Sequence, residues 1–326
     1  MSVKSEIIKV LEENREQAIS GQELADMLHV TRAAVWKAVK ALKKEGYAIH
    51  AAQNRGYSLA GESDILSEEG IRLFLKGDQK SNRIVVKKSV DSTNVFAKKL
   101  AIEGAAHGTI VAAEMQTKGR GRNGKSFFSP EGTGIYMSLI LRPRGKLAEI
   151  LPITAATAVG IVRVIRRMTG METKIKWVND IYLENRKICG ILTEAIMDFE
   201  SGGIDALIIG IGLNIRTEQE AFPVELRDTA ASLFPEKVTR NELIAEIAEE
   251  VLELSEAPGT MEIMEEYRQY SLVLGKEIFW EEKGIERSGI AKEITADGAL
   301  KVLCGSEEVL LRAGVISVRS CLWNRK

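Results

Sequence analysis

The chain contains 326 residues, of which 45% are hydrophobic and 28% are charged, and its formal net charge is −1. This length predicts two or three domains with cores of their own, and the composition is ordinary for a soluble globular protein. The balanced charge excludes a uniformly basic nucleic-acid-binding protein, while three distant cysteines without a C-x-x-C pair favour neither a disulfide framework nor a zinc site. Because the N-terminus is charged at once and no apolar run approaches ~18 residues, we expect a cytoplasmic protein that does not enter a membrane.

The first sixty residues carry the pattern of a winged helix-turn-helix domain. Hydrophobic periodicity predicts three helices, over residues 3–14, 22–28 and 32–44. Thr31 is a good N-cap for the third helix, and residues 47–60 alternate around Asn54-Arg55-Gly56 as in a two-stranded wing. Two helices joined by a short turn, the second exposed and basic, form the arrangement that enters the major groove of DNA.

The charge of this segment supports the same interpretation. Between Thr31 and Ala60 the sequence has six cations and one acid, a local charge of +5 in a chain that is nearly neutral. Such a patch is typical of phosphate contacts. The candidate DNA contacts lie on or beside the exposed face: Gln22, Thr31, Arg32, Ala33, Trp36, Lys37, Lys40 and Arg55. The alternative is a helical protein-interaction domain whose lysines are merely solvated.

A polar stretch at 61–64 predicts a linker, and a domain of mixed helices and strands follows it. The patterns predict helices at 67–75 and 152–168 and strands at 83–88, 109–115 and 134–141. Asp91-Ser92-Thr93-Asn94 begins another helix, which runs to about Glu103. Free N–H groups at a helix N-terminus suit polar ligand atoms, although plain capping by Ser92 is the more common reason for such a motif.

The segment from Gln116 to Pro130 is a basic, glycine-rich loop. It has three glycines and four cations: Gly119, Gly121, Gly124, Lys118, Arg120, Arg122 and Lys125. Arginines on such a loop can bind carboxylate or phosphate oxygens with two parallel hydrogen bonds, and Phe127 and Phe128 can cover a flat ring. The loop is not a Walker A motif. The alternative is a solvated, basic hairpin tip.

Two further stretches combine buried strands with residues that strands rarely contain. Residues 176–183 form a strand broken by Asn179-Asp180, and the returning strand at 187–194 begins with the cation Lys187. In the strand over 206–214, Gly210 and Gly212 share one face and leave room there for something other than a side chain. For Lys187, the alternative is an edge lysine that keeps its charge in water. For the two glycines, the alternative is an ordinary β-bulge.

The C-terminal third predicts a helix and then a small all-β unit. Thr239 and Glu242 form a capping box for a helix over 239–256. From Lys276 onward, short strands separated by turns such as Asp297-Gly298 indicate a small β-barrel. The predicted domains are residues 1–62, 63–272 and 273–326.

Four separated motifs in the central segment resemble those of biotin–protein ligases. They are Gly119-Arg120-Gly121-Arg122, Lys176-Trp177-Val178-Asn179-Asp180, Lys187-x-x-Gly190-Ile191-Leu192-x-Glu194 and Gly210-Ile211-Gly212-x-Asn214. The added winged helix is similar to that of the bifunctional bacterial type, which is also the biotin operon repressor. The resemblance implies a multidomain α/β (α+β) protein: a winged helix-turn-helix, a mixed-sheet domain of the biotin/lipoate ligase type and an SH3-like β-barrel.

The same resemblance implies a two-step reaction. Biotin and MgATP give biotinyl-5′-adenylate, and a lysine of a biotin carboxyl carrier protein then takes the biotin. Biotinyl-AMP would also act as corepressor, favouring a homodimer that binds operator DNA. The implied cofactors are biotin, ATP and the Mg²⁺ that accompanies ATP, with no metal site formed by the protein.

Residue roles follow from the matching motif positions. The implied catalytic residues are Lys187, Arg120 and Asp180, with Asp180 orienting the incoming amine. The implied biotin-binding residues are Ser92, Thr93, Asn94, Gln116, Arg120, Gly121, Arg122, Lys187, Gly190, Gly210 and Gly212. The implied nucleotide-binding residues are Arg122, Lys125, Phe127, Asn179 and Asn214.

The chain departs from the family pattern at three positions. Val178 replaces a common proline, Lys125 an arginine and Phe127 a tryptophan. Lysine cannot form the paired hydrogen bonds of arginine, and phenylalanine stacks over less area, so adenylate retention is expected to be weaker. Two other functions stay open: a transcription factor whose central domain only senses biotin or its adenylate, and a lipoate–protein ligase.

Overall fold

The computed structural model describes residues 2–52, 55–143, 150–198, 203–282, 285–312 and 319–320. Its N-terminal part contains α1 (Val3–Glu13), α2 (Gly21–Met27), α3 (Arg32–Lys44), β1 (Ile49–Ala52) and β2 (Gly56–Leu59). The three predicted helices and the antiparallel wing are therefore confirmed, although Asn54 at the predicted tip lies outside the described residues. Thr31 begins α3 as predicted, because its Oγ1 accepts a hydrogen bond from the Ala34 N–H.

A seven-stranded mixed sheet forms the centre of the molecule. Its strands are β3 (Ile84–Val90), β4 (Thr109–Gln116), β5 (Gly134–Leu141), β6 (Thr173–Lys176), β7 (Asp180–Leu183), β8 (Arg186–Met197) and β9 (Ile204–Asn214). The spatial order is β3-β4-β5-β9-β8-β7-β6. Only the β3–β4 pair is parallel among the described strands of this sheet.

The predicted single strand over 176–183 is wrong. β6 and β7 are antiparallel partners, with Lys176 opposite Asp180, so Trp177-Val178-Asn179 is a hairpin turn. The Trp177–Val178 peptide bond is cis. This turn places Asn179 and Asp180 beside β8, since Asp180 is opposite Gly190.

Helices cover both faces of this sheet. The helices are α4 (Glu68–Phe74), α5 (Thr93–Ile102), α6 (Ile150–Thr169), α7 (Arg240–Ser255) and α8 (Met261–Gln269). α5 packs alone on a small cluster that includes Ala97, Val111 and Ile208. α6, α7 and α8 contribute to the main core on the opposite face. α8 was not expected from the sequence pattern. No helix in the described part of the chain is long and apolar enough to cross a membrane.

The C-terminal strands form a second, antiparallel sheet, in line with the predicted small β-domain. They are β10 (Glu277–Glu282), β11 (Ile285–Ile294), β12 (Leu300–Cys304), β13 (Glu307–Leu311) and β14 (Arg319–Ser320), in the order β13-β12-β11-β10-β14. Buried residues such as Ile278 and Trp280 belong to the same core cluster as the central sheet. Trp177 Nε1 also donates to the Gly298 carbonyl at 3.0 Å. The boundary at 272/273 stays a prediction.

Candidate active site

A cavity lies between the N-terminus of α5, the basic loop and strands β8 and β9. All eleven residues that the sequence predicts for biotin lie in its wall. Phe127 and Asn179, predicted for the nucleotide, lie in the same wall. The antiparallel β8–β9 pair explains part of this convergence, because it sets Gly190 opposite Gly212 and Leu192 opposite Gly210.

The first turn of α5 is held by contacts other than a standard N-cap. Among the described residues, the Ser92 side chain caps no backbone N–H of the helix, so the plain-capping alternative is not observed. Thr93 instead donates from its backbone N–H and its Oγ1 to Gln116 Oε1, at 2.8 and 3.1 Å. Gln116 Nε2 donates in turn to Ser129 Oγ at 2.9 Å. Ser92 and Thr93 are thus presented to the cavity by the end of β4.

The two glycines of β9 make room for side chains of this chain. A Cβ atom on Gly210 would lie 2.1 Å from Asn94 Oδ1, and one on Gly212 would lie 2.6 Å from Phe127 Cε1. The expectation that they leave room for something other than a side chain is therefore wrong. The Phe127 ring contacts Tyr136 edge-on, with centroids 6.4 Å apart. Phe127 is consequently a wall of the cavity, and its predicted contact with a nucleotide stays a prediction.

The basic loop closes on itself and buries Arg122 more deeply than Arg120. Gly121 N–H donates to the Lys125 carbonyl at 2.7 Å, and Phe127 N–H donates to the Gly119 carbonyl at 3.0 Å. Arg120 is exposed, whereas Arg122 is half-buried. Both arginines line the cavity, but Arg120 is more exposed to water than Arg122.

The half-buried Arg122 is held by the hairpin turn. Its Nη1 donates to Asn179 Oδ1 at 2.9 Å, and Asn179 Nδ2 donates to the Ile191 carbonyl at 2.7 Å. Burial lowers the pKa of Arg122, while the Asp180 carboxylate opposes that shift. Because both ends of the Asn179 amide are engaged within the chain, this residue positions Arg122. Its predicted nucleotide contact stays a prediction.

Lys187 and Asp180 form an ion pair at the cavity wall. Lys187 Nζ lies 2.7 Å from Asp180 Oδ1. A Cβ atom on Gly190 would lie 3.0 Å from the same Nζ, so the glycine leaves space for the ammonium group. Asp180 therefore fixes the cation, and its predicted role in orienting an incoming amine stays a prediction.

Two predicted nucleotide-binding residues are not in the cavity wall. Lys125 is exposed and lines a neighbouring, more open concavity together with Arg120 and Glu194. Asn214 is 5% exposed, and its Nδ2 donates to the Ala231 carbonyl at 3.0 Å. Asn214 thus holds the chain that follows β9, and the structure does not bring it to the other site residues.

Sequence reasoning assigned no role to several residues that shape the cavity. Ser129 holds Gln116, and Ser138 and Glu194 hold Asn94. The period of two along β8, which puts Leu192 and Glu194 on the face of Gly190, is a signal that could have found Glu194. Ser138 and Ser129 had no comparable signal, because their contacts depend on strand pairing and loop closure.

The predicted DNA-binding residues all lie on the surface of the N-terminal domain. They are exposed on α2, on α3 and at the wing: Gln22, Thr31, Arg32, Ala33, Trp36, Lys37, Lys40 and Arg55. Trp36 is 55% exposed, and Lys40 Nζ lies 5.0 Å from the centre of its ring. This surface is therefore open to a large partner.

Comparison with known proteins gives consistent matches for both parts. Residues 86–214 match the Biotin/lipoate A/B protein ligase family, and residues 3–58 match the HTH domain family. The bifunctional ligase/repressor BirA of Bacillus spizizenii is 39% identical over 249 residues, covering 76% of each chain. The bifunctional ligase/repressor BirA of Escherichia coli is 29% identical over 306 residues, covering 88% of this chain and 91% of that protein.

A solved structure agrees with the fold of most of the chain. The biotin protein ligase from Aquifex aeolicus in complex with biotin and ATP matches with a TM-score of 0.60 and 27% identity, covering 73% of this chain and 99% of that chain. This chain therefore belongs to the biotin–protein ligase family, and it carries the N-terminal helix-turn-helix domain of the bifunctional ligase/repressors. The resemblance and the fold class predicted from the sequence are confirmed.

Proposed function

We propose that this protein is an ATP-dependent biotin–protein ligase that also represses biotin genes by binding operator DNA. The observation that carries the ligase function is the convergence of all eleven predicted biotin-binding residues in the wall of one cavity. That wall combines strand backbone and apolar side chains with the cations Arg120, Arg122 and Lys187. A bicyclic apolar ligand that ends in a carboxylate suits such a site.

In the first step, a carboxylate oxygen of biotin attacks the α-phosphorus of ATP, and pyrophosphate leaves. Both reactants are negative, so the site has to neutralise and align them. Lys187, fixed by Asp180, and Arg122, fixed by Asn179, supply preorganised charge for this purpose. The ureido head of biotin would lie against Ser92, Thr93 and Gln116. Mg²⁺ would arrive with the ATP phosphates; no group of three or more metal-ligating side chains occurs within the described ranges.

In the second step, the amine of an acceptor lysine attacks the acyl carbon of biotinyl-5′-adenylate, and AMP leaves. The acceptor is a lysine of a biotin carboxyl carrier protein. The reaction requires no covalent bond to the enzyme, since the mixed anhydride is already activated. Asp180, paired with the cavity-lining Lys187, would orient the incoming amine.

Repression is proposed to use α3 in a major groove of the operator. The exposed cations Arg32, Lys37 and Lys40 would contact phosphates, and the wing residue Arg55 would contact the flanking backbone. Two copies of the domain on one operator require a dimer.

We propose that biotinyl-AMP promotes this dimer by ordering the basic loop. Its phosphate would bind Arg120 and Arg122 together, so that the exposed Arg120 becomes as fixed as Arg122, which Asn179 already holds. β3 is an edge strand of the central sheet as described, so a second copy can pair along it. Sedimentation should therefore show more dimer with biotin and ATP together than with biotin alone. An equal dimer fraction in both conditions would contradict the ligand-dependent switch.

The ligase function is tested by two assays on the full chain. Pyrophosphate release should require biotin and ATP together, and labelled biotin should then appear on a biotin-carrier domain. Replacing biotin by lipoate should give no release. Biotin binding without pyrophosphate release would favour a sensor of biotin, and release with lipoate would favour a lipoate ligase.

A further inference from the structure

Glu194 belongs to the motif over residues 187–194, but the proposed mechanism gives it no part. It lies on β8 two residues after Leu192, and therefore on the same face of the sheet as Gly190 and Leu192. Its side chain is half-buried beneath the basic loop. Its carboxylate nevertheless has a partner within the chain.

The partner of Glu194 is the amide of Asn94. Asn94 Nδ2 donates to Glu194 Oε2 at 2.8 Å and to the Leu192 carbonyl at 3.2 Å. Asn94 Oδ1 accepts a hydrogen bond from Ser138 Oγ at 2.7 Å. A carboxylate and a backbone carbonyl only accept hydrogen bonds, so the NH₂ group has to face Glu194. The contacts therefore fix the orientation of the amide.

Asn94 is a second anchor for the ligand-facing end of α5, beside the hydrogen bonds from Thr93 to Gln116. Asn94 directly follows Ser92 and Thr93, which both line the cavity. The usual side-chain cap by Ser92 is absent from the described contacts of this helix, so the first turn depends on tertiary hydrogen bonds. Gly210 supports the same arrangement, because a side chain there would collide with the Asn94 amide.

We propose that Glu194 is a positioning residue for biotin binding. It fixes Asn94, and through Asn94 it holds Ser92 and Thr93 at the place where the ureido head of biotin would bind. The hydrogen bond from Asn94, and not the negative charge of Glu194, is the essential feature. This inference deepens the ligase function proposed above and rests on it.

Two substitutions separate the hydrogen bond from the charge. Glu194→Ala leaves the Asn94 amide without its acceptor, and the Kd for biotin should rise roughly 10- to 100-fold. Glu194→Gln retains an oxygen that accepts the same bond, so its Kd should stay within about threefold of wild type. The KM for ATP should change little in either variant, because Lys187 and Arg122 have other partners.

A reversed pair tests the contact directly. Asn94→Asp places two carboxylates against each other and should weaken biotin binding strongly. Adding Glu194→Gln to it restores a donor and an acceptor, with the direction exchanged, so the double variant should bind biotin more tightly than Asn94→Asp alone. Glu103→Ala, at the exposed far end of the same helix, is the matched control and should leave the Kd unchanged.

Biotin binding is measured by calorimetry on the full chain, with thermal unfolding to confirm that each variant is folded. A folded Glu194→Ala variant that binds biotin like wild type overturns the positioning role. A Glu194→Gln variant that binds biotin as weakly as Glu194→Ala also overturns it, because the loss of affinity would then come from the lost charge. A wild type that binds biotin but releases no pyrophosphate contradicts the ligase function alone, and one that does not bind biotin contradicts both.

Discussion

The cavity and the exposed face of α3 both carry cationic side chains, but they hold these side chains in different ways. In the cavity, Lys187 is paired with Asp180 at 2.7 Å and Arg122 with Asn179 at 2.9 Å. On α3, Lys37 and Lys40 extend from the surface, and Lys40 lies over the ring of Trp36. The first group of cations is fixed before any ligand arrives, and the second is free to adjust to its partner.

This difference follows from what each region has to bind. A reaction at one carbon and one phosphorus atom requires charges at fixed places, and misplacement by about 1 Å is costly. A nucleic-acid backbone presents many equivalent phosphates, so each surface cation contributes a small, salt-dependent share. Substitutions in the two regions should therefore differ in size and in kind.

The largest effect is expected for Lys187→Ala. The loss of a preorganised charge typically lowers a rate ~10²- to 10³-fold, so pyrophosphate release should almost disappear. Operator binding in the absence of ligand should not change. The matched control is Lys174→Ala, which removes an exposed lysine from β6 of the same sheet. Wild-type release by the Lys187→Ala variant would remove Lys187 from the reaction.

A smaller loss is expected when a residue that only positions a cation is changed. Asn179→Ala leaves Arg122 Nη1 without its partner, and adenylate formation should fall about tenfold. The KM for ATP should rise more than the KM for biotin, because Arg122 is proposed to face the phosphate. If both constants stay at their wild-type values, Asn179 does not act through Arg122.

Lys40→Ala tests the exposed cations of α3. Each phosphate contact contributes about −0.9 to the slope of log K against log salt concentration, so this variant should flatten the slope by about one unit. Biotinylation should be unaffected. Lys9→Ala, an exposed lysine on α1, is the control that should leave the slope unchanged. Identical slopes for wild type and Lys40→Ala would mean that Lys40 contacts no phosphate.

The smallest effect is expected for ion pairs outside both regions, and it is an effect on stability. Arg163 on α6 binds Glu250 and Glu266, and its hydrogen bond lowers the pKa of Glu266. The resulting stabilisation is present above the unfolded-state pKa of about 4.3 and is lost as the pH falls through the lower folded-state value.

Arg163→Met should therefore lower the unfolding midpoint by only about 1–3 °C at pH 7, and this difference should shrink below pH 4. Arg166→Met, which removes a more exposed pair with Glu172, is the comparison variant and should have a smaller effect. Loss of ligation in the folded Arg163→Met variant would show that stability and catalysis are not separable here.

Much of this organisation could be predicted from the sequence, since local patterns decide it. The helices of the N-terminal domain, the Thr31 cap and strand β5 follow from periodicity and capping chemistry. The turn at Trp177 to Asn179 was mistaken for a break in one strand, because only the pairing of β6 with β7 reveals the reversal.

The sequence predicts which residues form the site, but it does not predict which of them contact each other. Motif spacing indicates which residues belong together, and all eleven proposed biotin contacts do line one cavity. Spacing does not reveal that Asn94 occupies the space above Gly210, or that the Asn214 amide bonds to Ala231. Such contacts depend on strand register and side-chain packing, which a single sequence does not encode locally.

One chain carries two separable functions, and paired assays on two variants test this most directly. Carrier-domain biotinylation and operator binding are measured on the same preparations of wild type, Lys187→Ala and Lys40→Ala. We expect Lys187→Ala to lose biotinylation and still bind operator without ligand, and Lys40→Ala to biotinylate at the wild-type rate while its operator binding weakens. Loss of both activities in either folded variant, or the absence of biotinylation in the wild type, would contradict the account.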